Sequence, residues 1–126
     1  MTLAEDVRNH LTAHAGLVAL IGARCYVVRL PQNPALPAVT YQRISSAHDP
    51  THDGDTGLQT VRWQVSCWAT TYAMAELIAA QVVEACNGWA DAQPGEAAFI
   101  ENQLDFYSPE VDVYHIPVDI MIQHRN

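Results

Sequence analysis

The sequence contains no lysine: its six basic side chains are all arginine, set against fourteen carboxylates for a formal net charge of −8. Without lysine there is no Schiff-base chemistry and no phosphate-binding lysine of a P-loop. The acidic balance argues against sequence-independent binding to nucleic acid, because a surface of that sign repels phosphate. Long apolar runs are also missing. The stretches Gly16 to Gly22 and Ala73 to Val83 are too short or too polar to span a bilayer, so no membrane partner is expected. Met1 to Asp6 is acidic where a secretory signal is basic, and the expectation is a chain made in a cytoplasm. Cysteine is scarce and odd in number. Cys25, Cys67 and Cys86 sit among apolar neighbours, as suits reduced, buried thiols rather than a disulfide framework.

What is present is a foldable pattern. A length of 126 residues with 49% hydrophobic content predicts one domain, 1–126, with a single core. The clearest segment is 57–81. Val61, Trp63, Val65 and Cys67 alternate with Thr60, Arg62, Gln64, Ser66 and Trp68, the period of a half-buried strand. After Ala69-Thr70-Thr71 the apolar positions Ala75, Ile78, Ala79, Val82, Val83 and Cys86 take helical spacing. A strand is therefore handed to a helix that packs on its sheet, with no reactive group at the turn.

The other elements follow from the same reasoning. Leu3, Val7 and Leu11 mark a helix over about 3–14, opened by a Thr2/Glu5 capping box, and a short helical turn covers about 16–21 before Gly22. Residues 25–30 and 38–46 read as strands on either side of a link carrying Pro31, Pro34 and Pro37. Residues 47–57 form a polar connection longer than the usual hairpin loop. Asn87-Gly88 stops the long helix, and residues 98–107 read as a strand weakened at Glu101-Asn102-Gln103. In the last strand Tyr114, Ile116, Val118, Ile120 and Ile122 alternate with polar residues, and Pro117 within it predicts an edge position. The order α-β-β-β-α-β-β with short links predicts an α+β fold: a mostly antiparallel sheet with two main helices on one face.

The residues that could carry chemistry are few. His48, Asp49, His52, Asp53 and Asp55 would suit zinc or manganese, yet Pro50, Gly54 and Gly57 make the segment a loop, so the i, i+4 histidines need not share a face. The acids also miss the spacing of a calcium loop. His10 and His14 are an i, i+4 pair without a third ligand nearby, and read as surface residues. No phosphate loop, dinucleotide fingerprint or nucleophile elbow is present, and no cofactor is implied. Trp63 reads as core. Trp68 lies on the polar phase, either as an interface anchor or as a residue buried by a second covering helix.

Laid out in order, the chain resembles the phage tail completion family, also called tail terminator or tail-to-head joining proteins. The resemblance is carried by Leu20-Ile21-Gly22-Ala23-Arg24-Cys25-Tyr26, by Leu36-Pro37-Ala38-Val39-Thr40-Tyr41-Gln42-Arg43, by the glycine-bearing loop Asp53 to Gly57 leading into residues 61–69, and by Thr71 to Glu76 opening the helix. It implies a structural virion protein with no catalytic residues. It further implies a homo-oligomeric ring, commonly hexameric, at the head-proximal end of the tail, where the tail tube protein and the head connector protein are partners and DNA passes through the lumen without specific binding. His48, Asp49, His52, Asp53, Asp55, Trp68 and Pro117 are the positions expected to contact neighbours, because a closed heterologous ring draws on loops and sheet margins. Two other readings stand beside it: a metal-dependent hydrolase using His48 to Asp55, and a small head-tail adaptor acting as monomer or dimer.

Overall fold

The computed structural model describes residues 3–32, 35–48, 58–87 and 97–125, and these form nine elements. In chain order they are α1 (Leu3–Ala13), α2 (Ala15–Ile21), β1 (Cys25–Val27), β2 (Ala38–His48), β3 (Leu58–Ala69), α3 (Tyr72–Cys86), β4 (Ala97–Gln103), β5 (Phe106–Ser108) and β6 (Val113–Arg125). The expected α+β class holds, with a short second helix and a divided penultimate strand as refinements.

The six strands form one sheet in the order β1-β2-β3-β6-β4, with β5 beside β4's end on β6. Only β1 and β2 run parallel; every other pairing is antiparallel. One apolar phase of this sheet faces the helices. Val39 and Tyr41 of β2, Val61, Trp63, Val65 and Cys67 of β3, and Ile116, Val118, Ile120 and Ile122 of β6 join Val7 and Leu11 of α1, Leu17 and Ile21 of α2, and Ala75, Ile78, Ala79 and Val82 of α3 in one cluster. Alternation in the strands and 3.6-residue spacing in the helices thus converge on the same interior.

Local chemistry sets the joints. Thr71, extended in backbone, accepts a hydrogen bond from the Met74 amide at 3.2 Å and opens α3 where the alternating pattern ends. Gly22 closes α2 at φ 62° and ψ −127°, a conformation that disfavours any Cβ. The expected strand 98–107 is interrupted by a bulge between Ile100 and Asn102 and then by Leu104-Asp105, which separates β4 from β5. The Thr2 half of the expected capping box, Gly88 of the helix stop and the loop 49–57 lie outside the described residues.

The expected edge position of Pro117 is overturned. Strand β6 is interior, with β3 on one side and β4 and β5 on the other. The Pro117 carbonyl accepts from the Leu104 amide at 3.2 Å, so its nitrogen also points toward the β4–β5 side. The missing N–H falls at the interruption between those two short strands. On the opposite side Pro117 faces Ser66 as a non-hydrogen-bonded pair, which needs no donor from it. The proline is tolerated in an interior strand because the neighbouring strand breaks there.

Candidate interaction surfaces

Cys25, Cys67 and Cys86 are free and buried. Burial pushes the Cys25 thiol up to about 11, with the Arg8 charge opposing, and the Cys86 thiol up to about 12. Cys67, enclosed in the central strand, is raised further by burial and by Cys86. Among the described residues no group of three or more His, Cys, Asp or Glu side chains is placed to hold a metal ion. Asp49, His52, Asp53 and Asp55 lie outside the described residues, and His48 is the last residue of β2, paired with Gln59.

His10 and His14 are structural rather than superficial. His10 Nε2 meets the Ala85 carbonyl, and His14 Nε2 lies 3.1 Å from Gln81 Oε1, so both imidazoles tie the N-terminal helices to α3. Gly16 makes room for this contact: a Cβ there would stand 2.1 Å from Gln81 Oε1. The sequence shows the i, i+4 spacing but not that a third helix supplies the partners.

The sheet face away from the helices is polar at its centre and aromatic at one end. Gln64 donates to Asp119 at 3.1 Å, and Arg62 pairs with Glu101 at 2.8 Å. Trp68 lies on this face; its indole stacks on His115 with centroids 3.9 Å apart, and its N–H donates to Thr40 Oγ1 at 3.0 Å. Phe106 adds a third ring, 5.9 Å from His115. Half-burial of Trp68 therefore comes from the sheet's own side chains, and none of the three described helices covers it.

The two lateral margins of the sheet differ from this centre. At the β5 margin Leu104, Phe106, Tyr107 and Val111 are exposed, Val111 by 67%, and Tyr72 joins them from the start of α3. Two of these side chains are pinned. The Tyr72 hydroxyl donates to Asp105 at 2.8 Å and the Tyr107 hydroxyl to Asp112 at 2.7 Å, and these carboxylates raise both phenol pKa values. Both rings lean on Tyr114, at 5.9 and 4.8 Å. At the β1 margin Val27 and Val28 are more than half exposed and Ile44 stands out beside the β2 bulge. Val28 has φ 68°, and the Arg29 amide bonds the Val27 carbonyl at 2.7 Å, forming a strained γ-turn that holds the Val28 side chain outward.

A family model described as tail completion protein gp17 matches residues 5–125. The chain belongs to the tail completion protein family. In fold it is similar to a chain from a structure titled "Virion of native gene transfer agent (GTA) particle", with TM-score 0.81 and 20% identity over 95% of this chain and 92% of that one. None of the curated proteins matches. As a member of this family the chain is a structural component of a phage tail, and its place is the virion tail.

In this tail completion protein the sequence carries a signal about the margins that periodicity does not reveal. Residues 7–48 hold four arginines and no carboxylate side chain, whereas residues 63–124 hold nine carboxylates and no arginine. The first block ends in β1 and β2 and the second builds β6, β4 and β5, so the fold converts a division along the chain into a division across the sheet. Counting charge by segment, not only in total, would have pointed to it.

Proposed function

We propose that this protein ends tail-tube growth and joins tail to head as a homo-oligomeric ring, hexameric in the family pattern, seated between the tail tube protein and the head connector protein. The observation that carries the reading is the family match over residues 5–125. The geometry supports it in kind. The described thiols are buried and protonated, while exposed apolar side chains collect at two separate sheet margins, as a head-to-tail assembly requires of each subunit. On this reading the protein acts by shape and contact and makes or breaks no covalent bond.

The acidic connection containing Asp49, Asp53 and Asp55 lines the lumen, where it repels DNA phosphates and lets the genome pass without sticking. His48, His52 and Trp68 contact neighbouring chains, whereas Pro117, buried in an interior strand, leaves the set of contact residues. Deleting the gene is expected to give tails longer than normal in negative-stain images, with length restored by the intact chain in trans. Tails of normal length in the deletion would remove the terminator role. Replacing Asp49, Asp53 and Asp55 together with asparagine is expected to slow DNA ejection from assembled particles; unchanged ejection removes the loop from the lumen.

A further inference from the structure

We propose that the β1 margin of one copy docks on the β4–β5 margin of the next, through apolar side chains framed by opposite charge. The inference rests on the ring reading and names the interface that would close such a ring. One margin presents Val27, Val28 and Ile44 with Arg29 and Arg43 exposed among them. The other presents Leu104, Phe106, Tyr107 and Val111 with Asp105, Glu110 and Asp112. The two patches sit at opposite ends of the strand order, β1 at one and β4 with β5 at the other.

Three observations select a second copy of this chain as the occupant. First, the charges match in sign only when unlike margins meet. Two β1 margins would bring arginine against arginine, and two β5 margins carboxylate against carboxylate, which disfavours an isologous pair. Second, both margins hold their apolar groups in fixed positions: Val28 on its γ-turn, Tyr72 and Tyr107 by hydroxyls bound to Asp105 and Asp112. Contact residues already held in place lose little freedom on docking. Third, β1 is only three residues long and ends at that γ-turn, so it offers a partner little backbone to pair with. The contact is made by side chains, with rigid tyrosine and phenylalanine rings as its anchors.

The test links the margins directly. Chains carrying both Val28→Cys and Val111→Cys, oxidised at high protein concentration or with tail tubes present, are expected to give a ladder of multimers on non-reducing gels. Each single-cysteine variant is expected to give no ladder. Absence of a ladder from the double variant, or efficient dimerisation of either single variant, overturns the proposal. A charge exchange provides a second readout free of engineered thiols. Arg29→Glu with Arg43→Glu on one margin, and Glu110→Arg on the other, are each expected to abolish self-association of the folded protein, while an equal mixture of the two variants regains it. Failure of the mixture to associate while each variant retains its circular dichroism spectrum also overturns it. Overlong tails in the deletion together with no ladder would sink this interface and leave the terminator role standing; a ladder together with tails of normal length would do the reverse.

Discussion

The Trp68 indole lies flat on the His115 imidazole, the ring centroids 3.9 Å apart and the planes within 6°. The pairing joins β3 to β6 on the sheet face that the helices leave uncovered, and it gives this site a response to acid. His115 Nε2 is buried with no hydrogen-bond partner among the described residues, and burial lowers the imidazole pKa below 6.5. The folded state therefore holds the ring neutral at a pH where the unfolded chain has begun to bind a proton.

Stability from this site is complete above pH 6.5 and declines as pH falls from 6.5 toward the folded pKa, because only the unfolded state takes up the proton in that window. Below the folded pKa the loss levels off. Thermal unfolding measured between pH 7.5 and 5.5 is expected to show a steeper drop in Tm for the native chain than for His115→Phe, which keeps an aromatic ring against Trp68 and cannot titrate. Equal slopes for the two proteins would exclude a neutral His115.

Gly22 supplies a test of backbone conformation apart from packing. A Cβ at this position would meet only Arg24 Nη1, at 3.8 Å, so space is available. The cost of Gly22→Ala therefore arises from φ 62° and ψ −127°, a region open in practice to glycine alone, and is expected to be about 1–3 kcal/mol. Urea unfolding of the two proteins measures it. A loss below a few tenths of a kcal/mol would mean that the α2 terminus relaxes to an ordinary conformation.

Trp63 anchors the core beneath the β2 bulge. It is 2% exposed, tilted against Tyr41 at 6.4 Å, with the Arg43 guanidinium 5.4 Å above its ring. Truncation to alanine is expected to cost about 3–5 kcal/mol, as for other buried aromatics. Trp63→Phe is expected to cost much less than its volume loss implies. The indole N–H is buried with no acceptor among the described residues, and removing such a group recovers a desolvation cost of about 1–3 kcal/mol. A Trp63→Phe variant as unstable as Trp63→Ala would show that the indole N–H is satisfied in solution.

Most of the fold was legible because its main elements obey simple periods. The alternation from Val61 to Cys67 and the spacing from Ala75 to Cys86 each point to a single structure, and β3 and α3 adopt it. The interior place of Pro117 is not legible for a physical reason: a proline reports only that one donor is missing, whereas the break between β4 and β5 that makes the loss harmless is a property of a different segment. The roles of His10 and His14 are hidden for a like reason, since Gln81 and Ala85 lie about seventy residues away in sequence and only tertiary packing brings them to α1 and α2. Trp68 stands out by its phase, but its partner His115 is revealed by register alone. The candidate surface was the least legible part. Exposed Phe106 and Val111 resemble core residues in composition, and nothing in their spacing says that the sheet ends beside them.

The three thiols give a graded readout of how that sheet opens. With Cys25 at about 11 and Cys86 at about 12, almost no thiolate exists in the folded protein at pH 8, and all three sulfurs are shielded. A thiol-reactive reagent is expected to leave the native protein unmodified for as long as it labels all three cysteines completely in denaturant. Under mild denaturation the order of labelling should follow position in the sheet. Cys25 lies on the three-residue edge strand β1 and is exposed by fraying, whereas Cys67 lies on β3, paired along its length with β2 and β6, and is exposed only by global opening. Mass spectrometry of the modified peptides measures the order. Labelling of Cys67 ahead of Cys25 would mean that the sheet parts at its centre before its margin, and would contradict the core cluster as the most stable unit of the fold.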